Sequence, residues 1–190
     1  MADAKRDVAK RASLLDAQSA PAEAREMLAR LPPLNIFRTM AHGGALLPAF
    51  VHFGNFLLMK TKLDPVLREI AIIRVGVLSR APYEVAQHEK IGRDLGMSAA
   101  LLSAIHEGAQ APAFDELQRL VMRYTDDVVK NVRAGDETYA PLAQRLSLQE
   151  MQELTVTIGF YMAVSRFLET FDVSLDGESG AGVDLTRKDR

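Results

Sequence analysis

The sequence predicts an all-α fold, and three observations support this prediction. Only 12 of the 190 residues are glycine and 8 are proline, so residues that break helices are few. Apolar residues recur at helical spacing in several long segments, whereas the strict alternation that is typical of strands is scarce. Proline, serine and aspartate stand where these segments begin, and glycine stands where several of them end.

The first 33 residues are predicted to form a helical arm that lies on the main body. Residues 1–31 are rich in alanine and charged residues, and their pattern is helical but weakly amphipathic. Pro21 favours the start of a second short helix, because proline suits the first turn of a helix. The pair Pro32-Pro33 should end that helix, since proline cannot continue the backbone hydrogen bonding.

Residues 34–173 are predicted to form a single domain that begins with two apolar segments. Asn35 can cap a short helix, and the pair Gly43-Gly44 should end it. Residues 46–60 follow and are apolar nearly all round. A helix without a polar face is usually buried, so we expect this segment to lie inside the protein.

Two helices with clear start signals should form the centre of the domain. Asp64 followed by Pro65 combines a capping side chain with proline at the first helical position, and the helix should run to about Ser79. Pro82 restarts a helix that Gly96 should end. The link between them is short, so the two helices should be neighbours in space.

The remaining helices are marked by caps. Further start signals stand at Ser98, Pro112, Asp115 and Asp136. Ser147 and Glu150 form a capping box that opens a long helix through about Phe171. From residue 174 to 190 the chain is rich in glycine and aspartate, which predicts a flexible tail.

The composition excludes several functional classes. The net charge is -2, which argues against a nucleic-acid binder. The chain has no cysteine, so disulfides, thiolate nucleophiles and iron–sulfur clusters are excluded. No apolar run approaches the ~20 residues of a membrane span, and the N-terminal residues lack the apolar stretch of a signal peptide. We expect a cytoplasmic protein without a membrane partner.

Two acids and one histidine are predicted to converge between the two central helices. On a helical wheel, Glu84 and His88 lie in the middle of the apolar face of residues 84–96, one turn apart. Glu69 shares an apolar stripe of the preceding helix and should also point inward. A buried carboxylate needs a partner, and an imidazole can supply one.

We predict that Glu69, Glu84 and His88 are catalytic. Two carboxyl groups beside an imidazole in apolar surroundings suit general acid–base catalysis, and the imidazole should exchange its proton near neutral pH. Two other interpretations stay open: a buried polar network that fixes helix packing, and a metal site formed by the same three residues. Because the E-x-x-x-H spacing is common on helices, we predict no metal at these residues.

If a substrate of this site carries a carboxylate, residues near the cluster should bind it. Arginine suits this task because its guanidinium donates paired hydrogen bonds to a carboxylate. Arg166 lies between aromatic residues on the long last helix, where it should be buried beside Glu69 or a substrate carboxylate. The histidine of the apolar segment 46–60 can line the same pocket or be a satisfied core residue. The predicted substrate-binding residues are Tyr83, Arg74, Arg80, His52 and Arg166.

Three segments resemble the carboxymuconolactone decarboxylase family, which shares its fold with the alkylhydroperoxidase AhpD. They are NIFRTMAHGGALLPAFVHFGNFLL, LREIAIIRVGVLSRAPYEVAQHEKIGRDLGMS and GFYMAVSRFLETFDV. The resemblance covers about residues 35–173, and the second segment is its most specific part. It implies an AhpD-like helical bundle in which a central helical hairpin forms the pocket.

The peroxidase branch of this family carries a glutamate, a C-x-x-C pair and a histidine four residues after the second cysteine. Glu69 and His88 match the glutamate and the histidine, whereas Ala81 and Glu84 stand at the cysteine positions. The resemblance therefore implies the fold and the pocket of the family but no thiol peroxidase activity. The sequence is similar to a cysteine-free branch.

The resemblance also implies a function. The namesake reaction removes CO₂ from a lactone acid in the catabolism of aromatic compounds, without a cofactor. We expect a lyase of this type, or an isomerase, that acts on a small carboxylic acid or lactone. The alternative is a non-catalytic, oligomeric ligand-binding member of the family. In either case the family implies a homo-oligomer, commonly a dimer, trimer or hexamer.

Overall fold

The computed structural model describes residues 11–177, and within this range the chain is all-helical, as predicted. A short 3-10 helix, Ala41–Gly43, lies between the second and third α-helices. No helix of this range is both long and apolar enough to cross a membrane. The α-helices are α1 (Ala22–Arg30), α2 (Asn35–Met40), α3 (Leu46–Met59), α4 (Pro65–Ser79), α5 (Pro82–Asp94), α6 (Ala99–Glu107), α7 (Glu116–Asn131), α8 (Asp136–Ala143) and α9 (Leu148–Thr170).

Side-chain caps start α4 and α9 where the sequence predicts them, whereas the prediction that Asn35 caps α2 is wrong: Asn35 is the first residue of α2, and Leu34 precedes it without a side-chain cap. The carboxylate of Asp64 accepts hydrogen bonds from the backbone N–H groups of Val66 and Leu67, at 2.8 and 3.1 Å. At the start of α9, Ser147 and Glu150 form the predicted capping box. These contacts satisfy N–H groups that have no partner within the first turn of a helix, which fixes where α4 and α9 begin.

Helix α4 is the centre of the fold. Every residue from Leu67 to Gly76 is buried, because α4 packs against α5, α7 and α9. A helix covered on several sides is buried nearly all round, which explains its almost continuous apolar sequence. The few polar residues of α4 are therefore also inside, and each needs a partner there. They are Arg68, Glu69 and Arg74.

Helices α4 and α5 form a tight hairpin. Arg80 ends α4 in the left-handed backbone region, with a φ of 55°, and the N–H of Ala81 donates to the carbonyl of Gly76 at 2.9 Å. The two helices approach closely at Gly76, where an added Cβ would lie 3.0 Å from Cγ2 of Val85. The hairpin places the inner face of α5 directly against the centre of α4.

The N-terminal arm differs in part from its prediction. Helix α1 forms as Pro21 predicts and packs on α3 around a small second core. Residues 11–20 form no helix: the chain is irregular up to Asp16, and the carboxylate of Asp16 then accepts hydrogen bonds from the N–H groups of Gln18 and Ser19 and stabilises a turn. Residues 1–10 of the predicted arm lie outside the described residues, and its boundary at residue 33 stays a prediction.

Helix α3 is less buried than its composition predicts. Leu47, Val51 and Leu57 are buried, whereas a second group of apolar residues is 43–53% exposed. Helix α3 packs on α1, α2 and α9, and within the described residues its opposite side stays open to solvent. An apolar face on the surface of the protomer follows from this arrangement. Its members on α3 are Leu46, Phe53, Phe56 and Met59.

The segment after α9 returns to the body of the protein. The side-chain amide of Asn35 donates to the carbonyls of Ser174 and Leu175, at 3.0 and 3.3 Å. The first residues of the predicted flexible tail thus have defined contacts in this structure. The rest of the tail, residues 178–190, lies outside the described residues, so the predicted tail stays a prediction there.

Candidate functional site

Glu69, Glu84 and His88 meet in the interior of the protein, between α4 and α5. Nδ1 of His88 lies 2.6 Å from Oε2 of Glu69, and Nε2 lies 3.0 Å from Oε1 of Glu84. All three side chains are buried, and Glu69 has no exposed surface. The structure therefore brings together the three residues that the helical wheel placed on facing surfaces, and the imidazole bridges the two carboxylates.

Arg68 is a fourth charged member of this cluster that the sequence analysis missed. Its Nε donates to Oε1 of Glu69 at 3.2 Å, and its side chain is buried. With the imidazole protonated, two positive and two negative charges balance inside the protein, as buried ions require. The sequence feature that could have indicated this role is the position of Arg68 next to the inward-facing Glu69 in an otherwise apolar helix.

The environment of His88 makes its ring a cation at neutral pH. Burial alone would lower the pKa of His88, but the charges of Glu69 and Glu84 and the contacts with them outweigh burial and raise it from 6.5 to about 10. Both ring nitrogens then carry protons and point to carboxylates. The prediction that this ring exchanges its proton near neutral pH is corrected: His88 is positioned as an acid, because two anions stabilise its charged form.

The same geometry argues against the metal interpretation of this cluster. An imidazole binds a metal through an unprotonated nitrogen, whereas both nitrogens of His88 face carboxylate oxygens. Among residues 11–177, no group of three or more histidine, cysteine or acidic residues is arranged to hold a metal ion. The arrangement of this cluster suits proton transfer.

A mainly apolar pocket opens beside the cluster. It is partly open to solvent, and its cavity volume is about 90 Å³. Its walls come from α2, α3, α5 and α9 and include Phe37, Phe50 and Phe160. Glu84 and His88 line this pocket, whereas Glu69 lies behind them. A ligand in the pocket would therefore reach Glu84 and His88 directly.

Tyr161 of α9 lies over the imidazole. The two rings meet edge to face, with 4.8 Å between their centroids. Burial, followed by the charges of Glu84 and Glu69, raises the pKa of Tyr161 well above its ordinary value, so the hydroxyl keeps its proton. This hydroxyl makes no hydrogen bond to any described residue and belongs to a residue that lines the pocket. Tyr161, which the sequence analysis missed, is thus a hydrogen-bond donor available to a ligand.

The predicted substrate-binding residues separate into two groups. Tyr83 is buried and lines the pocket, on the same helix as Glu84 and His88. The other four do not line it, and their predicted place beside the cluster is corrected. They are Arg74, Arg80, His52 and Arg166.

For two of these four residues, one in α4 and one directly after it, the position in the hairpin explains the difference. Arg74 turns toward α7, where its Nε and Nη2 contact the carboxylate of Asp126 at 2.5 and 2.9 Å and its Nη1 donates to the carbonyl of Ile105. This pairing is part of the α4–α7 packing. Arg80 occupies the exposed turn of the hairpin and borders a separate surface groove.

The other two residues lie on the outer faces of their helices. His52 is exposed because α3 turns its neighbours Val51 and Gly54, and not residue 52, toward the pocket. Arg166 is exposed on α9, and its Nη1 donates to the carbonyl of Met162. Glu69, which was a candidate partner of Arg166, is paired with Arg68 instead.

Comparison with known proteins gives a match to one family over the central part of the chain. The model of the carboxymuconolactone decarboxylase family matches residues 44–127, which contain Glu69, Glu84 and His88. Over these residues the chain is similar to the carboxymuconolactone decarboxylase family. The match includes the α4–α5 hairpin and leaves out α9 with Tyr161 and the C-terminal segment.

One curated relative is the uncharacterized protein YnjA of Escherichia coli (strain K12). It is 28% identical to this chain over 120 residues, which make up 62% of this chain and 65% of YnjA. The chain thus spans less than two thirds of the length of this relative.

Solved structures share the fold of the whole helical body. An uncharacterized peroxidase-related protein with an alkylhydroperoxidase AhpD core, from Ralstonia eutropha JMP134, gives a TM-score of 0.79 at 16% identity over 88% of this chain and 93% of its own. A putative antioxidant defence protein AhpD from Agrobacterium tumefaciens, ATU0492, gives 0.65 at 20% identity over 68% and 90%. An uncharacterized peroxidase-related protein from Silicibacter sp. TM1040 gives 0.70 at 16% identity over 83% of each chain. These likenesses show that the fold is AhpD-like.

Proposed function

We propose that the protein is a cofactor-free enzyme that acts on a small carboxylic acid or lactone by general acid–base catalysis, as a lyase or isomerase. One observation carries this proposal: the imidazole of His88 and the carboxyl group of Glu84 lie 3.0 Å apart, and both line a mainly apolar pocket. The match to the family model supports the lyase type, because that family takes its name from a decarboxylase.

The proposed chemistry needs a proton donor, and His88 supplies one. In a decarboxylation, the carbon–carbon bond to the carboxylate breaks, CO₂ leaves, and the electron pair passes into the conjugated system of the substrate. The carbon then takes a proton from Nε2 of His88, and the neutral ring regains a proton from water. In an isomerisation, the carboxylate of Glu84 takes a proton from one carbon, and His88 delivers a proton to another.

Glu69 acts in this proposal as a positioning residue. It holds the Nδ1 side of His88 at 2.6 Å and is itself held by Arg68. Since Glu69 does not line the pocket, its part is to fix the ring orientation and to direct the Nε2 proton toward Glu84 and the ligand.

A second candidate function is non-catalytic ligand binding. The charge balance of the cluster favours it, because a neutral set of four buried charges also suits a purely structural role. Thiol peroxidase activity, in contrast, needs a cysteine that can form a sulfenate or a disulfide, and this chain has none.

A substrate screen separates these two functions. We expect the wild-type protein to convert at least one member of a panel of lactone acids and keto acids in deuterated water, with deuterium incorporated at the protonated carbon. We expect His88→Gln to slow this step by roughly 10²–10⁴ while ligand binding persists, because the amide cannot deliver a proton. His106→Gln, at a partly exposed histidine outside the pocket, is the matched control and should keep the wild-type rate. Turnover by His88→Gln at the wild-type rate would contradict the role of His88, and binding without turnover would favour the second candidate.

We also propose that the protein forms a homo-oligomer through the open face of α3. Phe53 and Phe56 are 44% and 45% exposed, and Phe53 contacts Phe160 of α9 edge to face. The face continues onto α9, where Val156 is 46% exposed. Association of two or more copies would remove this apolar surface from water.

Light scattering tests this assembly. We expect the wild-type protein to have a mass of at least two chains at micromolar concentration, and Phe53→Asp to shift it toward one chain, because a charge at an apolar interface is costly. Val132→Asp changes an apolar residue that is 91% exposed outside this face, and it should leave the mass unchanged. A wild-type protein with the mass of one chain would contradict the proposal.

A further inference from the structure

The C-terminal segment places a carboxylate at the side of the pocket. After α9 the chain passes α2, and Asp176 reaches Tyr83 and Gln87 of α5, two residues that line the pocket. The segment lies outside the part of the chain that matches the family. The pocket therefore has a contact that neither the hairpin nor the charged cluster provides.

Three neutral donors hold this carboxylate. The hydroxyl of Tyr83 and Nε2 of Gln87 donate to Oδ2 of Asp176, at 2.5 and 2.8 Å. The backbone N–H of Asn35 donates to Oδ1 at 2.7 Å. Burial, together with the nearby Asp176 carboxylate, keeps the pKa of Tyr83 above its ordinary value, so this hydroxyl stays a donor. The arrangement is a built site for one carboxylate.

We propose that Tyr83, Gln87 and the N–H of Asn35 form a carboxylate-binding subsite of the pocket, which Asp176 occupies in the free protein and which the carboxylate of a ligand takes by displacing Asp176. The inference deepens the proposed function, since it rests on a ligand that is a small carboxylic acid. It also supplies the carboxylate anchor that Arg74, Arg80 and Arg166, which do not line the pocket, cannot supply.

The arrangement of α5 supports this assignment. Tyr83 and Gln87 are four residues apart, as are Glu84 and His88, so the two pairs form neighbouring stripes on one helix. One stripe holds a carboxylate, and the other carries the acid and the base. A ligand bound through its carboxylate to the first stripe would present its adjacent carbon atoms to the second.

The C-terminal segment is attached in a way that would let a ligand carboxylate replace Asp176. Leu175 is 55% exposed, and the segment is attached through the hydrogen bonds of Asn35, Tyr83 and Gln87. Because the donors are neutral, they hold one carboxylate about as well as another, and the tethered Asp176 has the advantage only of its high local concentration. The aromatic walls of the pocket favour a ligand with a flat apolar body. The ligand class is thus a compact carboxylate with an apolar, preferably unsaturated, body.

Calorimetric titration with benzoate tests the subsite, with benzamide as the neutral analogue of the same shape. We expect Asp176→Ala to bind benzoate about tenfold more tightly than wild type, because the internal competitor is gone. Benzamide should bind both proteins equally. A second substitution, Gln87→Leu or Tyr83→Phe, should remove the gain that Asp176→Ala produces.

A matched control distinguishes displacement from a general loss of negative charge. Asp172 is an exposed acid near the same end of the chain, paired with Arg11, and Asp172→Ala should leave benzoate affinity unchanged. Four results would each overturn the subsite. Wild type and Asp176→Ala could bind benzoate with equal affinity, or Asp176→Ala could gain as much affinity for benzamide as for benzoate. Asp172→Ala could raise the benzoate affinity as well, or no variant could bind benzoate. This test measures binding alone. If it supports the subsite while the substrate screen shows no turnover, only the proposed function is refuted.

Discussion

Replacing Glu69 with Gln should lower the free energy of unfolding by about 3–5 kcal/mol, which is typical when one partner of a buried ion pair is removed. Glu69 has no exposed surface, and it is the only member of the cluster that contacts both cations, Arg68 and His88. Its neutral amide would leave two buried positive charges opposite one carboxylate. Urea denaturation followed by circular dichroism measures the loss.

A histidine–glutamate pair on the surface provides the control. Nε2 of His106 lies 2.7 Å from Oε1 of Glu89, but both side chains are partly exposed. Glu89→Gln should therefore cost less than about 1 kcal/mol, because water screens the pair. Equal losses for Glu69→Gln and Glu89→Gln would show that the buried cluster carries no net stabilising charge interaction.

The stability of the protein should fall as pH rises from about 7 to about 10. Below pH 6.5 the ring of His88 is protonated in the folded and the unfolded chain, so its stabilising contacts are fully present. Above that pH the unfolded chain releases the proton, whereas the folded chain keeps it until pH reaches about 10. Each unit of difference in pKa corresponds to about 1.4 kcal/mol, so the total loss should reach several kcal/mol.

Urea denaturation at a series of pH values measures this dependence, and NMR of the histidine rings assigns it. His88→Gln should flatten the profile in this range, whereas His106→Gln should keep the wild-type slope, because His106 is exposed. A ring signal of His88 that titrates near pH 6.5 would refute the charged state on which both the profile and the proposed acid role depend.

Local signals in the sequence were sufficient to predict the helical framework. Asp64 and Ser147 cap helices that begin where expected, because capping depends on residues within one turn of each other. The meeting of Glu69, Glu84 and His88 could also be predicted, since polar residues on apolar helix faces must find partners in the interior. Their catalytic roles stay a prediction.

The rest of the site depends on contacts between distant parts of the chain, which helical periodicity does not contain. Arg74 pairs with Asp126 on α7, so its charge was satisfied far from the pocket. Asp176 reaches Tyr83 across 93 positions of sequence, and nothing local to either residue indicates this contact. The exposed apolar face of α3 was interpreted as core. Apolar composition predicts that a helix face is buried, but it does not indicate what covers that face.

The close approach at Gly76 links the spacing of two helices to the acidity of one ring. A methyl group at this position would act as a wedge against Val85 and Glu84, at 3.0 and 3.5 Å, and would push α5 away from α4. The contact between His88 and Glu69 crosses the same gap, and coulombic stabilisation weakens as the gap widens. A substitution at Gly76 that widens this gap should therefore lower the pKa of His88, although it replaces no member of the charged cluster.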